Sequence, residues 1–302
     1  MSTDEHVHVG PARPLGRGAS FGLVAVAYVV ATLVAVGAGA LVGTGAPLLT
    51  IAVADLAATL VIFVWSRVVN NSSMYDVYWS VVPPAVAVFL LTVAEPGVPG
   101  LRQVLVVAVV WFWAVRLTAN WARGWTGLDH EDWRYTDARS GSTPYWVASF
   151  LGFHLFPTVV VYLGMLPLYP AIATGTNPFG VLDVVAAVVA FGAVVLEWVS
   201  DEQMRSFART KAPGEVCRRG LWGWSRHPNY VGEMGFWWGL WLFALAADPA
   251  WWWTVVGPIA MTAMFLGASI PMMEKRSLER RPAYAVYAAE VSLIIPRPPR
   301  RS

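Results

Sequence analysis

Long apolar stretches separated by short polar ones dominate the chain. Windows near 21–43, 47–66, 80–94, 101–119, 145–169, 179–200, 230–247 and 251–273 are predominantly apolar, and a bilayer core about 30 Å thick is crossed by about 20 such residues in a helix. The pattern predicts an all-α polytopic transmembrane helical bundle of seven to eight spans. The third window is short and begins at Pro83-Pro84, which suits a tilted or re-entrant segment, and only the Asp248-Pro249 turn signal divides the last two. Residues 1–20 are polar and Gly/Pro-rich and read as a flexible tail before an uncleaved first span. Residues 21–64 then form N-terminal spans, and 65–300 the main membrane domain.

With eight spans, twenty of the 21 Lys and Arg residues fall on one side and Arg102 alone on the other. Basic residues concentrate in cytoplasmic loops, so both termini and the long polar segments 67–79, 120–144, 201–229 and 274 onward are expected in the cytoplasm. Hydrophobic residues make up 57% of the 302 and charged ones 13%, which excludes an ordinary soluble domain and a disordered chain. A single cysteine, Cys217, excludes an internal disulfide framework. The bases form no dense stripe, so no nucleic-acid partner is expected. No internal repeat or inverted pair of broken helices suggests a transporter, and the familiar soluble nucleotide and hydrolase signatures are missing.

Four polar clusters need an explanation. In 213–239, PGEVCRRGLWGWSRHPNYVGEMGFWWG, helical spacing puts Arg226, Asn229, Tyr230, Glu233 and Trp237 on one face. A carboxylate inside a span is costly without a partner; the plainer reading is that Arg226 and Glu233 satisfy each other. Glu197, Asp201 and Arg205 repeat at four-residue spacing, which alone suits a salt-bridge ladder. NNSSMYDVYWSVVPP (70–84) brings Tyr75, Asp76, Tyr78 and Trp79 to the membrane boundary in irregular backbone. The fourth, 116–139, reads as a mixed-charge loop or ligand lid. Its His130-Glu131-Asp132 run lacks the spacing of helical metal pairs, so no metal is expected. Asp55 and His154 are isolated intramembrane ionisable groups, functional or simply hydrogen-bonded within the bundle.

GLWGWSRHPNYVGEMGFWWG resembles the signature of the steroid 5-alpha-reductase-like membrane proteins, especially their bacterial DUF1295 branch. YDVYWSVVP, RLTANWARGW with EDWRY, SDEQMRSF, the PGE turn and EKRSLERRPAYAVYAAEVSLIIPRPP are similar to that branch in the same order over 65–300. The resemblance implies an enzyme that binds NADPH from the cytosolic side and reduces a carbon–carbon double bond conjugated to a ketone. The substrate would be lipophilic, such as a 3-oxo-4-ene steroid, and would enter from the bilayer lipid. It implies that Asn229 and Glu233 lie against the nicotinamide, with Tyr230 nearby, and that Asp201 and Arg205 belong to the cofactor-binding helix. Arg218 would contact phosphate.

Two positions depart from the reductase pattern. Glu197 replaces an asparagine, and PMMEKRS replaces a histidine-rich segment, putting Glu274, Lys275 and Arg276 where the pattern has neutral or imidazole groups. The carboxyl and tyrosine that polarise the ketone are expected to be Asp76 with Tyr78 or Tyr75. The same RHPxYxG helix also looks like that of S-adenosylmethionine-dependent isoprenylcysteine and phospholipid methyltransferases. Those carry two adjacent glutamates where this chain has Glu274 followed by Lys275.

Overall fold

The structure, a computed structural model, describes residues 15–298. Most of the expected tail, and Arg13, Arg300 and Arg301 of the charge count, lie outside the described residues. The chain forms α1 (Arg17–Val42), α2 (Pro47–Val68), α3 (Ser72–Thr92), α4 (Gly100–Gly124), α5 (Trp133–Arg139), α6 (Tyr145–Thr174), α7 (Val181–Thr210), α8 (Pro228–Ala247), α9 (Pro249–Arg280) and α10 (Tyr284–Glu290). Among the described residues there is no strand. Among the described residues seven helices, α1–α4, α6, α7 and α9, are long and apolar enough to cross a membrane, so the protein is a multi-pass membrane protein.

Several boundaries differ from those the hydropathy suggested. Residues 17–20, expected in the tail, already belong to α1. The RLTANW segment, expected in a loop, continues α4 to Gly124, so its polar side chains ride on a rigid helix. The α3 helix runs straight through Pro83-Pro84 instead of turning back. Over α8, glycine and polar groups dilute the hydropathy, yet the helix has 20 residues, about 30 Å at the helical rise. It lies antiparallel along α7, with Gly232 against Ala193 and Glu197, and Gly239 against Ala190. A Cβ on Gly232 would stand 2.6 Å from the Ala193 carbonyl oxygen. Small residues permit this backbone approach, the usual basis of tight helix pairing in membranes.

Burial sorts the bundle into a centre and an edge. The apolar window of α6 is 67% buried, that of α1 only 17%, so α6 is central and α1 presents its side chains to lipid. Trp113, Phe236, Trp237, Phe243 and Met261 fill the core between α4, α8 and α9, where the Trp113 and Phe236 rings stack 4.7 Å apart.

At the end remote from the polar clusters, Arg102 is fully buried. Its Nε donates to Asp183 Oδ1 at 2.6 Å, and its NH2 to Asp183 Oδ2 at 3.0 Å and to the Asn177 carbonyl at 2.9 Å. Further donors reach the Gly175 and Ala246 carbonyls. The one base that broke the charge bias is therefore a tie between α4, α7 and the loops beside them, not a loop charge.

Candidate functional site

The polar clusters converge at the other end of the bundle on one cavity of about 570 Å³. Asp76 and Ser80 of α3, Asn120 and Trp121 of α4, Glu197 and Asp201 of α7, and Asn229, Tyr230 and Glu233 of α8 line it, with His130, Asp132, Trp133 and Arg134. Met272 and Met273 of α9 supply apolar wall. Pro228 opens α8 at its first helical position, where its missing N–H costs nothing. Asn229, Tyr230 and Glu233 then share the face turned toward α4.

Arg116 is the centre of the charged wall. Its guanidinium lies 2.5 Å from Glu197, 3.1 Å from Asp201 and 3.8 Å from Glu233, so one cation serves three carboxylates from two helices. Glu233 is held further by the Trp113 indole, donating at 2.8 Å, and the Trp237 indole at 2.9 Å. Asn120 donates to Asp201 at 3.0 Å and accepts from Arg205. Glu197, Asp201 and Arg205 thus form no intrahelical ladder: the two acids pair across to α4, and Arg205 bonds Asn120 and lies 3.5 Å from Glu202.

Asp76 accepts a hydrogen bond from the Tyr135 hydroxyl, and Arg134 stands 3.7 Å away. Burial pushes the Tyr135 hydroxyl well above its ordinary range and the Asp76 charge adds to this, so Tyr135 stays protonated and donates. Tyr78 does not meet Asp76. Two residues along a helix turn a side chain by about 200°, and Tyr78 donates instead to Asp55 Oδ1 at 2.7 Å. Tyr75 shares a hydrogen with Thr158 at 2.7 Å and stacks on Tyr78. Both tyrosines face away from the cavity that holds Asp76.

The remaining expected cofactor residues stand outside its lining. Arg218 pairs with Glu290. Arg226 pairs with Glu274 at 3.0 Å and not with Glu233, while His227 and the Tyr284 hydroxyl also bond Glu274. That cluster clamps α9 and the C-terminal segment against the start of α8. Lys275 is exposed, 3.9 Å from Glu279.

Sequence reading passed over Arg116, Asn120, Trp121 and Tyr135 as site residues. Arg116, Asn120 and Arg123 recur at four- and three-residue spacing, a signal hidden once the helix was ended at 119. Tyr135 carries no pattern of its own; only the packing of α5 against the 70–76 turn brings it to Asp76. That packing rests on Asn71, which donates to the carbonyls of Leu128 and His130.

A family model described as "Protein of unknown function (DUF1295)" matches residues 62–291, and the chain belongs to that family. It is 28% identical over 262 residues to an uncharacterized protein of Schizosaccharomyces pombe, covering 78% of this chain and 75% of the relative. No solved structure matches the chain.

Proposed function

We propose that the protein is an NADPH-dependent membrane reductase of an activated, enone-type carbon–carbon double bond in a lipophilic substrate drawn from the bilayer, the sterol-like 3-oxo-4-ene class among them. The observation that carries this reading is the convergence of Asn229, Tyr230, Glu233, Asp201 and Asp76, from three helices distant in sequence, on a single cavity. Its volume of about 570 Å³ lies in the usual range for cofactor sites, about 300–1,000 Å³. The charge bias supports a mouth on the cytoplasmic side, the side expected for both termini.

The donor set fits the cofactor. The buried indole N–H groups of Trp121 and Trp125 have no hydrogen-bond partner, and both residues line the cavity. With Asn229 and Arg134 they offer donors to a carboxamide and to phosphate oxygens, while Glu233 and Asp201 offer acceptors to amide and ribose hydroxyl groups. Bound there, the nicotinamide supplies hydride. The chain's own part would be to hold Tyr230 and Glu233 rigid against the cofactor and to exclude water with Phe265, Met272 and Met273. Asp76 presents a proton to the substrate carbonyl; Tyr135 orients it by a hydrogen bond from behind the cavity wall, and Arg134 stays beside them as the compensating charge. Arg205 acts through Asn120, as a positioning residue.

A second reading, S-adenosylmethionine-dependent methyl transfer, is favoured by one feature. Five carboxylates, Asp76, Asp132, Glu197, Asp201 and Glu233, line a cavity served by two arginines, Arg116 and Arg134, and an acidic excess suits a sulfonium cation.

Titrating detergent-purified protein with NADPH, read by energy transfer from its tryptophans, separates the two. The reductase reading expects saturable transfer that Glu233→Gln weakens and S-adenosylmethionine does not displace. Absence of NADPH binding, with calorimetric binding of S-adenosylmethionine, would overturn it.

A further inference from the structure

A second cavity, of about 350 Å³, lies between α1, α2 and α3. Its wall is mostly small and apolar; Asp55 supplies the one ionisable carboxyl, with the hydroxyls of Tyr28, Tyr78 and three threonines. It shares no lining residue with the polar cavity. Asp55 is 95% buried; its Oδ1 accepts from Tyr78, but its Oδ2 has no partner. A buried carboxyl oxygen with no partner inside an apolar bundle is expensive and needs an explanation.

From Asp55 a track of buried polar side chains leads out of the bundle. The Tyr78 hydroxyl bonds Asp55 and reaches Thr59. Thr59 shares a hydrogen with Thr158 at 2.8 Å, and Thr158 with the Tyr75 hydroxyl at 2.7 Å. The Tyr75 ring then lies against the His154 imidazole, centroids 4.8 Å apart. His154 Nε2 is 3.3 Å from Ser66 Oγ; its Nδ1 bonds the Ser149 carbonyl at 2.9 Å and lies 3.5 Å from Ser149 Oγ. Ser149 bonds Ser72 at 2.9 Å, Ser72 bonds the Tyr145 hydroxyl at 2.6 Å, and Tyr145 donates to Glu131 at 3.1 Å. Glu131 sits in the polar loop beside Arg139.

We propose that this hydroxyl and imidazole track relays protons between Glu131 at the polar face and Asp55, which delivers them to the polar end of a lipophilic ligand in the second cavity. The step moves a proton and nothing else. The Asp55 O–H bond breaks as a bond forms to a ligand oxygen. The carboxylate left behind is reprotonated by Tyr78, and each hydroxyl in turn takes a proton from its outer neighbour, down to water at Glu131. One link, from His154 to the Tyr75 hydroxyl, is completed by ring rotation. Simple interhelical adhesion by Ser and Thr accounts for isolated pairs. It does not account for a succession of such groups joining α2, α3 and α6, nor for its end on an oxygen without a partner. The inference stands apart from the identity of the cofactor.

The test is infrared spectroscopy of the full chain in lipid nanodiscs. The carboxyl C=O band that Asp55→Asn removes identifies Asp55, and its shift on transfer to D₂O times proton access. Thr158→Val and Thr59→Val keep side-chain shape and remove one hydroxyl each. Each is expected to slow the shift about tenfold or more, and Thr158→Ser to restore it; either Val variant suffices if the other does not fold. Exchange as fast in the Val variants as in the unaltered chain overturns the relay, whatever they do to stability. So does the lack of any protonated carboxyl band removed by Asp55→Asn.

Discussion

Arg102 and Arg116 sit toward opposite ends of α4, about 21 Å apart by the helical rise, and each finds a carboxylate partner on α7. At Arg102 the account is closed: the Asp183 carboxylate and backbone carbonyls surround the guanidinium, and it lines neither cavity described above. At Arg116 it is open. One guanidinium faces three carboxylates, its Nε has no partner, and all three carboxylates line the polar cavity. The same pair of residue types therefore builds a structural tie at one end and an unsaturated, ligand-ready wall at the other. Acceptor count and the space beside the pair distinguish the two, not burial, since both arginines are buried.

The largest effect is expected at the closed end. Arg102→Met strands Asp183 in apolar surroundings and should cost about 3–5 kcal/mol of stability, read from thermal unfolding in detergent. Replacing both partners with apolar residues should recover much of that loss. An Arg102→Met protein as stable as the parent would break the contrast.

At the open end the cost should appear in function. Asp76→Asn is expected to lower turnover of an enone substrate by about 10²–10⁴ while NADPH binding persists, because Asp76 is assigned to the carbonyl and not to the cofactor. A parallel loss of NADPH affinity would reassign it.

Between the ends, Gly232→Ala should cost about 1–3 kcal/mol, since the new methyl collides with the Ala193 carbonyl and the Glu197 side chain. It should also weaken NADPH binding by displacing Glu197. A stability loss without any change in binding would show that the α7–α8 spacing does not set the cavity wall. The smallest effect is expected at Lys275→Ala. The ammonium is exposed and outside the cavity lining, so stability should change by no more than about 0.5 kcal/mol, with NADPH affinity unaltered in the same titration. A clear loss of affinity would draw the cofactor's outer end toward α9.

Much of this site was legible one cluster at a time. The face carrying Asn229, Tyr230 and Glu233 follows from helical spacing, and Glu197 and Asp201 were conspicuous as acids at the end of a span. What spacing could not supply was the partner of each. Asp76 and Tyr78 are neighbours in sequence and looked like one catalytic pair, but a helix turns them to different sides of α3, where Tyr135 and Asp55 meet them. The plainer pairing of Arg226 with Glu233 does not form: Arg226 is taken by Glu274, and Glu233 by two tryptophans with Arg116 nearby.

The sequence by itself determined the all-α membrane bundle, because hydropathy over about 20 residues is a local property set by the cost of exposing polar groups to hydrocarbon. It also placed nearly all the charge at one end. Only the tertiary structure decided which charges pair and which remain open, that Arg102 is a tie and not a loop charge, and that two cavities lie on opposite sides of α3. Those choices depend on which helices approach closely, and the glycines of α8 settle that approach through contacts with residues about forty positions away in the chain.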